Sequence, residues 1–147
     1  MKIAIASDHA GYEMKMIILG YLQAMDHDVM DLGTDSTESV DYPVYGKSCG
    51  EAVARKKAEK GIVICGSGIG ISIAANKVKG VRCGLCTSVE MAELARKHND
   101  ANVLALGGRL TEITVALQIV DAFLNTEFEG GRHQRRMDKI KALEENQ

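Results

Sequence analysis

The sequence predicts a single α/β domain, a five-stranded parallel sheet covered by helices on both faces, with a helical arm at the C-terminus. Three observations predict it. Five short apolar runs alternate with segments of helical periodicity. No connection carries the two-residue turn signal of a β-hairpin, so neighbouring strands must be reached by crossovers and run parallel. Finally, 147 residues with 46% hydrophobic content suffice for one core and are short for two.

The elements follow in order. Lys2 to Ser7 (KIAIAS) is the first strand, broken by Asp8-His9-Ala10-Gly11, and Tyr12 to Met25 is a helix with Met14, Ile17, Ile18 and Tyr21 clustered. Asp28 to Leu32 is the second strand, and Gly33 to Ser39 a polar turn. Asp41-Tyr42-Pro43 opens a helical segment toward Lys60, with Pro43 suited to a first turn and Cys49, Ala52 and Val53 facing inward. The third strand, Gly61 to Cys65, runs into glycines at alternate positions (Gly66, Gly68, Gly70) and then a helix start. Gly80 to Cys86 is the fourth strand. Ser88 suits the N-cap of a helix to about His98, with Glu90 in its first turn. Asn102 to Leu106 is the fifth strand, Gly107-Gly108-Arg109 its loop, and Thr111 to Leu124 an amphipathic helix. After Glu129-Gly130-Gly131 a charged arm, about 130–147, spaces Met137, Ile140 and Leu143 as a helix would.

Right-handed crossovers with short connections favour an open doubly wound (Rossmann-like) sheet, most simply in the order 2-1-3-4-5. Ligands bind such sheets beyond the carboxyl ends of the strands where the winding reverses, here between strands one and three. Those ends carry Asp8-His9 and Cys65 to Gly70.

Twenty acidic against eighteen basic side chains leave a net charge of −2, with no global attraction for nucleic acid or an anionic membrane. No apolar run approaches the roughly 18 residues of a membrane span, and the N-terminus is wrongly flanked for a signal peptide. The expectation is a cytoplasmic protein with no nucleic-acid or membrane partner, whose four cysteines are reduced thiols.

The glycine turn aims backbone N–H groups, and the positive end of a helix, at one point, which makes an anion cradle. It is not a dinucleotide fingerprint, because Ile71 stands where the third glycine belongs, and no Lys-Ser/Thr pair makes it a Walker loop. A plain structural turn is the alternative. Cys65 is either a buried strand thiol or, with its thiolate favoured by the helix N-terminus, a general base. Cys83 and Cys86 lack a second ligand pair and read as core thiols, as does Cys49 on its apolar helix face.

Asp8-His9 either caps the first helix or holds a sugar and a negative group. Arg96-Lys97-His98-Asn99 suits a helix C-terminus. That helix runs antiparallel to the strands for about ten residues, roughly 15 Å, so a catalytic His98 would have to serve a partner's site. Arg132 and Arg136 share a helix face and, with Arg109, suit a phosphate; a solvated basic tail is the alternative.

Taken together, Asp8-His9-Ala10-Gly11, Asp41-Tyr42-Pro43, CGSGIGISIAANK from Cys65, ARKHNDANVLALGGR from Ala95 and EGGRHQRR from Glu129 resemble type B ribose-5-phosphate isomerase, in the group that includes the galactose-6-phosphate isomerase subunits. The resemblance covers nearly the whole chain. It implies an aldose–ketose isomerase of the pentose phosphate pathway that interconverts ribose 5-phosphate and ribulose 5-phosphate through an enediolate, without metal or organic cofactor. It implies Cys65 as the base and His98 as the ring-opening acid. The amides of Gly66, Ser67, Gly68, Ile69 and Gly70 would hold the oxyanion, Asn99 the sugar, and Asp8 and His9 would contact the substrate. Arg109, Arg132 and Arg136 would hold phosphate or nearby oxygens, with Tyr42 a further contact. One branch of the group replaces the cysteine by a glutamate in the next helix; Ile69 and Ile71 occupy that region here, which places the chain with the cysteine branch. The resemblance also implies a homodimer, often paired into tetramers, with shared sites. Rival expectations are a hexose 6-phosphate substrate, such as allose or galactose 6-phosphate, and a sugar-phosphate-binding module without catalysis.

Overall fold

The computed structural model describes residues 1–147. Its strands are β1 (Lys2–Ser7), β2 (Asp28–Asp31), β3 (Lys60–Cys65), β4 (Cys83–Leu85) and β5 (Val103–Gly107). Its helices are α1 (Tyr12–Ala24), α2 (Tyr42–Ala54), α3 (Ile69–Asn76), α4 (Val89–Asn99), α5 (Ile113–Asn125) and α6 (Arg132–Glu145), and a 3-10 turn covers His9–Gly11. All strand pairs are parallel. No helix is long and apolar enough to cross a membrane.

The sheet order is β2-β1-β3-β5-β4, which corrects the expected 2-1-3-4-5 at one edge. Burial explains the exchange. Every residue of β5 (VLALG) is buried, so β5 needs a strand on each side, whereas β4 has three half-buried residues and suits an edge. The exchange is clamped by Asn102 just before β5. Its Oδ1 accepts from the Arg82 amide at 2.8 Å and its Nδ2 donates to the Gly80 carbonyl at 2.9 Å. The reversal of winding between β1 and β3 is untouched.

Alternation along the strands builds two cores of different grain. Ile3, Ile5, Ile62, Ile64, Leu104 and Leu106 face α1, α4 and α5 and pack with Ile18, Leu22, Ile119 and Phe123. The other face presents smaller residues, Ala4, Ala6, Val63 and Ala105, and there α2 and α3 lie close with Cys49, Val53, Ile71 and Ala75. Cys65 belongs to this second face. The small side chains therefore let the glycine turn and α3 approach the sheet at the carboxyl ends of the strands.

Caps set the helix positions. Ser88 accepts from the Met91 amide at 3.2 Å, as its position predicts. At the other end of α4 the left-handed residue is Asp100 (φ 44°), just beyond Asn99. Arg96 is buried and structural: it donates to the carbonyls of Ala101 and Thr126 and to Asp100, pinning the end of α4 to the chain beyond α5. The arm α6 lies over the β4 edge, where the Gly80 amide donates to the Glu144 carboxylate at 3.2 Å. Met137, Ile140 and Leu143 line a cavity of about 400 Å³ with Val81, Cys83 and Ala95.

Candidate active site

Parallel pairing brings two strand ends side by side. β1 and β3 stay in register to Ser7 and Ile64, so Asp8 emerges beside Cys65, its amide donating to the Ile64 carbonyl at 3.2 Å. Asp8 is buried and does cap the 3-10 turn, its Oδ1 accepting from the Gly11 amide at 3.1 Å. Its other oxygen makes no hydrogen bond within the chain, and Asp8 lines the cleft that holds Cys65. Capping and ligand binding are thus compatible.

The loop after β5 completes this end. The amides of Gly108 and Arg109 donate to the carbonyls of Cys65 and Gly66 at 2.8 and 3.0 Å, which fixes Arg109 beside the thiol. The open cleft, about 690 Å³, is lined by Asp8, Tyr42, Cys65, Gly66, Ser67, Ile69, Gly70, Ile73, Arg109 and Leu110. Its rim is apolar and exposed, with Leu110 at 74% and Ile73 at 57% exposure.

The turn itself is an anion cradle. The Gly68 amide donates to Cys65 Sγ at 3.2 Å, and the Ile69 amide to Ser67 Oγ at 3.1 Å. The amides of Gly66, Ser67 and Gly70 have no acceptor within the chain, which leaves them free for an oxyanion in the cleft. Gly68 has φ 82°, and a Cβ there would lie 2.8 Å from the Leu106 carbonyl carbon. Gly68→Ala is therefore expected to cost about 2–4 kcal/mol in a denaturant titration and to shift the amide off the thiol. Unchanged stability would show that the turn tolerates a side chain.

The other thiols are not candidates. Burial pushes Cys49 up to about 12, against a weaker opposing hydrogen bond at the Ile62 carbonyl, and pushes Cys86 up to about 11. Cys83 is raised further, chiefly by burial. All three stay protonated, as the core-thiol reading requires.

His9 stands just outside the cleft. Its Nδ1 accepts from the Val40 amide at 3.1 Å, so the neutral ring carries its proton on Nε2 and can donate from there. Four other expected site residues lie elsewhere. α4 ends beside the start of β5, so His98 and Asn99 sit at the amino edge of the sheet, opposite Cys65. Exposed Arg132 and Arg136 begin α6 at that same end.

A residue missed by sequence reasoning marks this second cluster. His133 is buried and stacks on His98, ring centroids 4.2 Å apart and planes 12° from parallel. Glu129 Oε1 lies 3.6 Å from His133 Nε2 and 3.9 Å from His98 Nε2. Burial, then the charges of His98 and Arg132, hold His133 below the ordinary imidazole value. The signal was its spacing, four before Met137 on the face that α6 turns inward. Within one chain the expected site residues thus fall into two separate clusters: Asp8, Tyr42, Cys65 to Gly70 and Arg109 in one, and His98, Asn99, Arg132 and Arg136 in the other.

Comparison with known proteins shows the family of the chain. The model of the ribose/galactose isomerase family matches residues 3–140. The chain belongs to the ribose/galactose isomerase family. It is 46% identical over 144 residues to ribose-5-phosphate isomerase B of Escherichia coli, covering 98% of this chain and 97% of that protein. Among solved structures it is similar to ribose-5-phosphate isomerase B of Clostridium thermocellum, with 51% identity, a TM-score of 0.99 and 99% of each chain covered. The Mycoplasma genitalium enzyme with bound ribulose-5-phosphate is 44% identical, with a TM-score of 0.96 over 99% of this chain and 97% of that one.

Proposed function

We propose that this family member is an aldose–ketose isomerase of the pentose phosphate pathway, interconverting D-ribose 5-phosphate and D-ribulose 5-phosphate. One observation carries the reading: Cys65 lines one cleft with Arg109 and with Gly66, Ser67 and Gly70, whose backbone amides make no bond within the chain. Isomerisation needs a base between C1 and C2 and donors for the oxygen that gains charge. Cys65 takes a proton from one carbon and returns it to the other. The amides of Gly66, Ser67 and Gly70 stabilise the enediolate, with Gly68 and Ile69 holding the turn in shape. The free oxygen of Asp8 and the Nε2–H of His9 hold the sugar.

The other half of the site comes from a second copy of the chain. His98 acts as the ring-opening acid, Asn99 holds the sugar beside it, and Arg132 and Arg136 join Arg109 on the phosphate side. Two features support this homodimer. The second cluster lies at the far end of its own chain, and the exposed Leu110 and Ile73 give the cleft an apolar rim for a partner to cover. The four free cysteines support a cytoplasmic setting.

Comparing kcat/KM for five- and six-carbon aldose phosphates tests the substrate. The pentose is expected to win by at least an order of magnitude, since a sixth carbon lengthens the distance between the phosphate and the two carbons that Cys65 must reach. Preference for allose or galactose 6-phosphate would overturn that choice.

A further inference from the structure

We propose that His98, Glu129 and His133 form a binding site for a transition-metal dication such as Zn²⁺ or Ni²⁺, and that its occupation withdraws His98 from the reaction. The metal site stands on geometry alone, while the inhibition rests on the role of His98 proposed above. Three segments converge: the last turn of α4 brings His98, the α5–α6 connection brings Glu129, and the first turn of α6 brings His133. Backbone bonds hold them in place, the Glu129 amide donating to the Lys97 carbonyl at 3.1 Å and the His133 amide to the Gly130 carbonyl at 3.0 Å.

One ligand atom from each residue lies within 4.8 Å of the other two. Tetrahedral bonds of about 2.0–2.1 Å separate ligand atoms by roughly 3.3 Å, so the contacts to Glu129, 3.6 and 3.9 Å, need to close by only roughly 0.3 and 0.6 Å. Two imidazoles and one carboxylate are the donor set of open zinc sites, with a fourth position left for water. Imidazole also selects zinc, nickel or copper over magnesium and calcium.

The stacking of the rings decides the consequence. A metal lies near the plane of each imidazole it binds, so it cannot join both rings while they stay within 12° of parallel. One ring must turn. His133 is buried, whereas His98 is 40% and Glu129 53% exposed, so His98 is the ring that moves. Binding therefore occupies the Nε2 lone pair of His98 and takes the ring out of its stacked orientation.

Isothermal titration of the full chain, free of any purification tag, with ZnCl₂ at neutral pH tests the site, with Co²⁺ absorption reporting imidazole ligation. Saturable binding of one ion per chain is expected. Losing a ligand costs at least as much as losing its support, so Glu129→Gln and His133→Gln should each weaken it on the order of 10–100-fold or more. Glu129 is exposed, so its variant keeps the test open should His133→Gln fold poorly. Zinc should also inhibit wild-type isomerisation, reversibly by chelator. No saturable binding, or equal binding in both variants, would overturn the proposal. Binding as expected without inhibition would leave the metal site standing and remove His98 from the reaction.

Discussion

Cys65→Ala lowers kcat for ribose 5-phosphate by about 10²–10⁴-fold, the usual contribution of a positioned general base. Substrate binding survives in large part: the Gly68 amide loses its bond to Sγ, but the Cys65 and Gly66 carbonyls still accept from Gly108 and Arg109, and Asp8 still caps Gly11. Removing one sulfur from a buried position costs on the order of 1 kcal/mol, so the variant stays folded. Turnover and far-UV circular dichroism on the same preparation separate the two effects. No other thiol replaces Cys65, because Cys49, Cys83 and Cys86 are held protonated by burial, and Ile69 and Ile71 offer no carboxylate from α3. Activity within tenfold of wild type would mean that Cys65 is not the base.

His98→Ala has the second-largest effect, and its signature is a split between two readouts. Net conversion of ribose 5-phosphate, which starts as a closed ring, falls by about 10²-fold or more. Ribulose 5-phosphate is open-chain, and exchange of its C1 proton with D₂O needs only Cys65 and the cradle. That exchange, followed by NMR, stays within about tenfold of wild type. Loss of both in parallel would place His98 in the proton transfer itself and contradict the assignment.

Much of this was legible because the relevant patterns are local. Strand β1 and the caps at Asp8 and Ser88 follow from short stretches whose side chains find partners within a few residues. The cradle follows from three glycines after an apolar strand, since the glycines that allow the turn also free the amides. Even the displacement of His98 was readable, because eleven helical residues running antiparallel to a strand must carry their end to the opposite edge.

What was not legible depends on competition between elements. The places of β4 and β5 turn on which strand is apolar enough for the interior, and Arg82 at the entry to β4 was the available hint. His133 was hidden in a run of charges, where its burial depends on α6 folding back against α4. The apolar rim of Ile73 and Leu110 carries no mark in the sequence, because exposure is set by what fails to cover them.

Under the proposed function each active site is built from two chains. Mixing two inactive variants, Cys65→Ala and His98→Ala, after dissociation and reassociation tests that arrangement. If Cys65 of one protomer works with His98 of its partner, each mixed dimer has one site lacking both groups and one with both intact. Isomerase activity should then reappear, amounting to one working site per mixed dimer. Mixed dimers that form, as shown by differential tagging, and yet remain inactive would contradict the shared site.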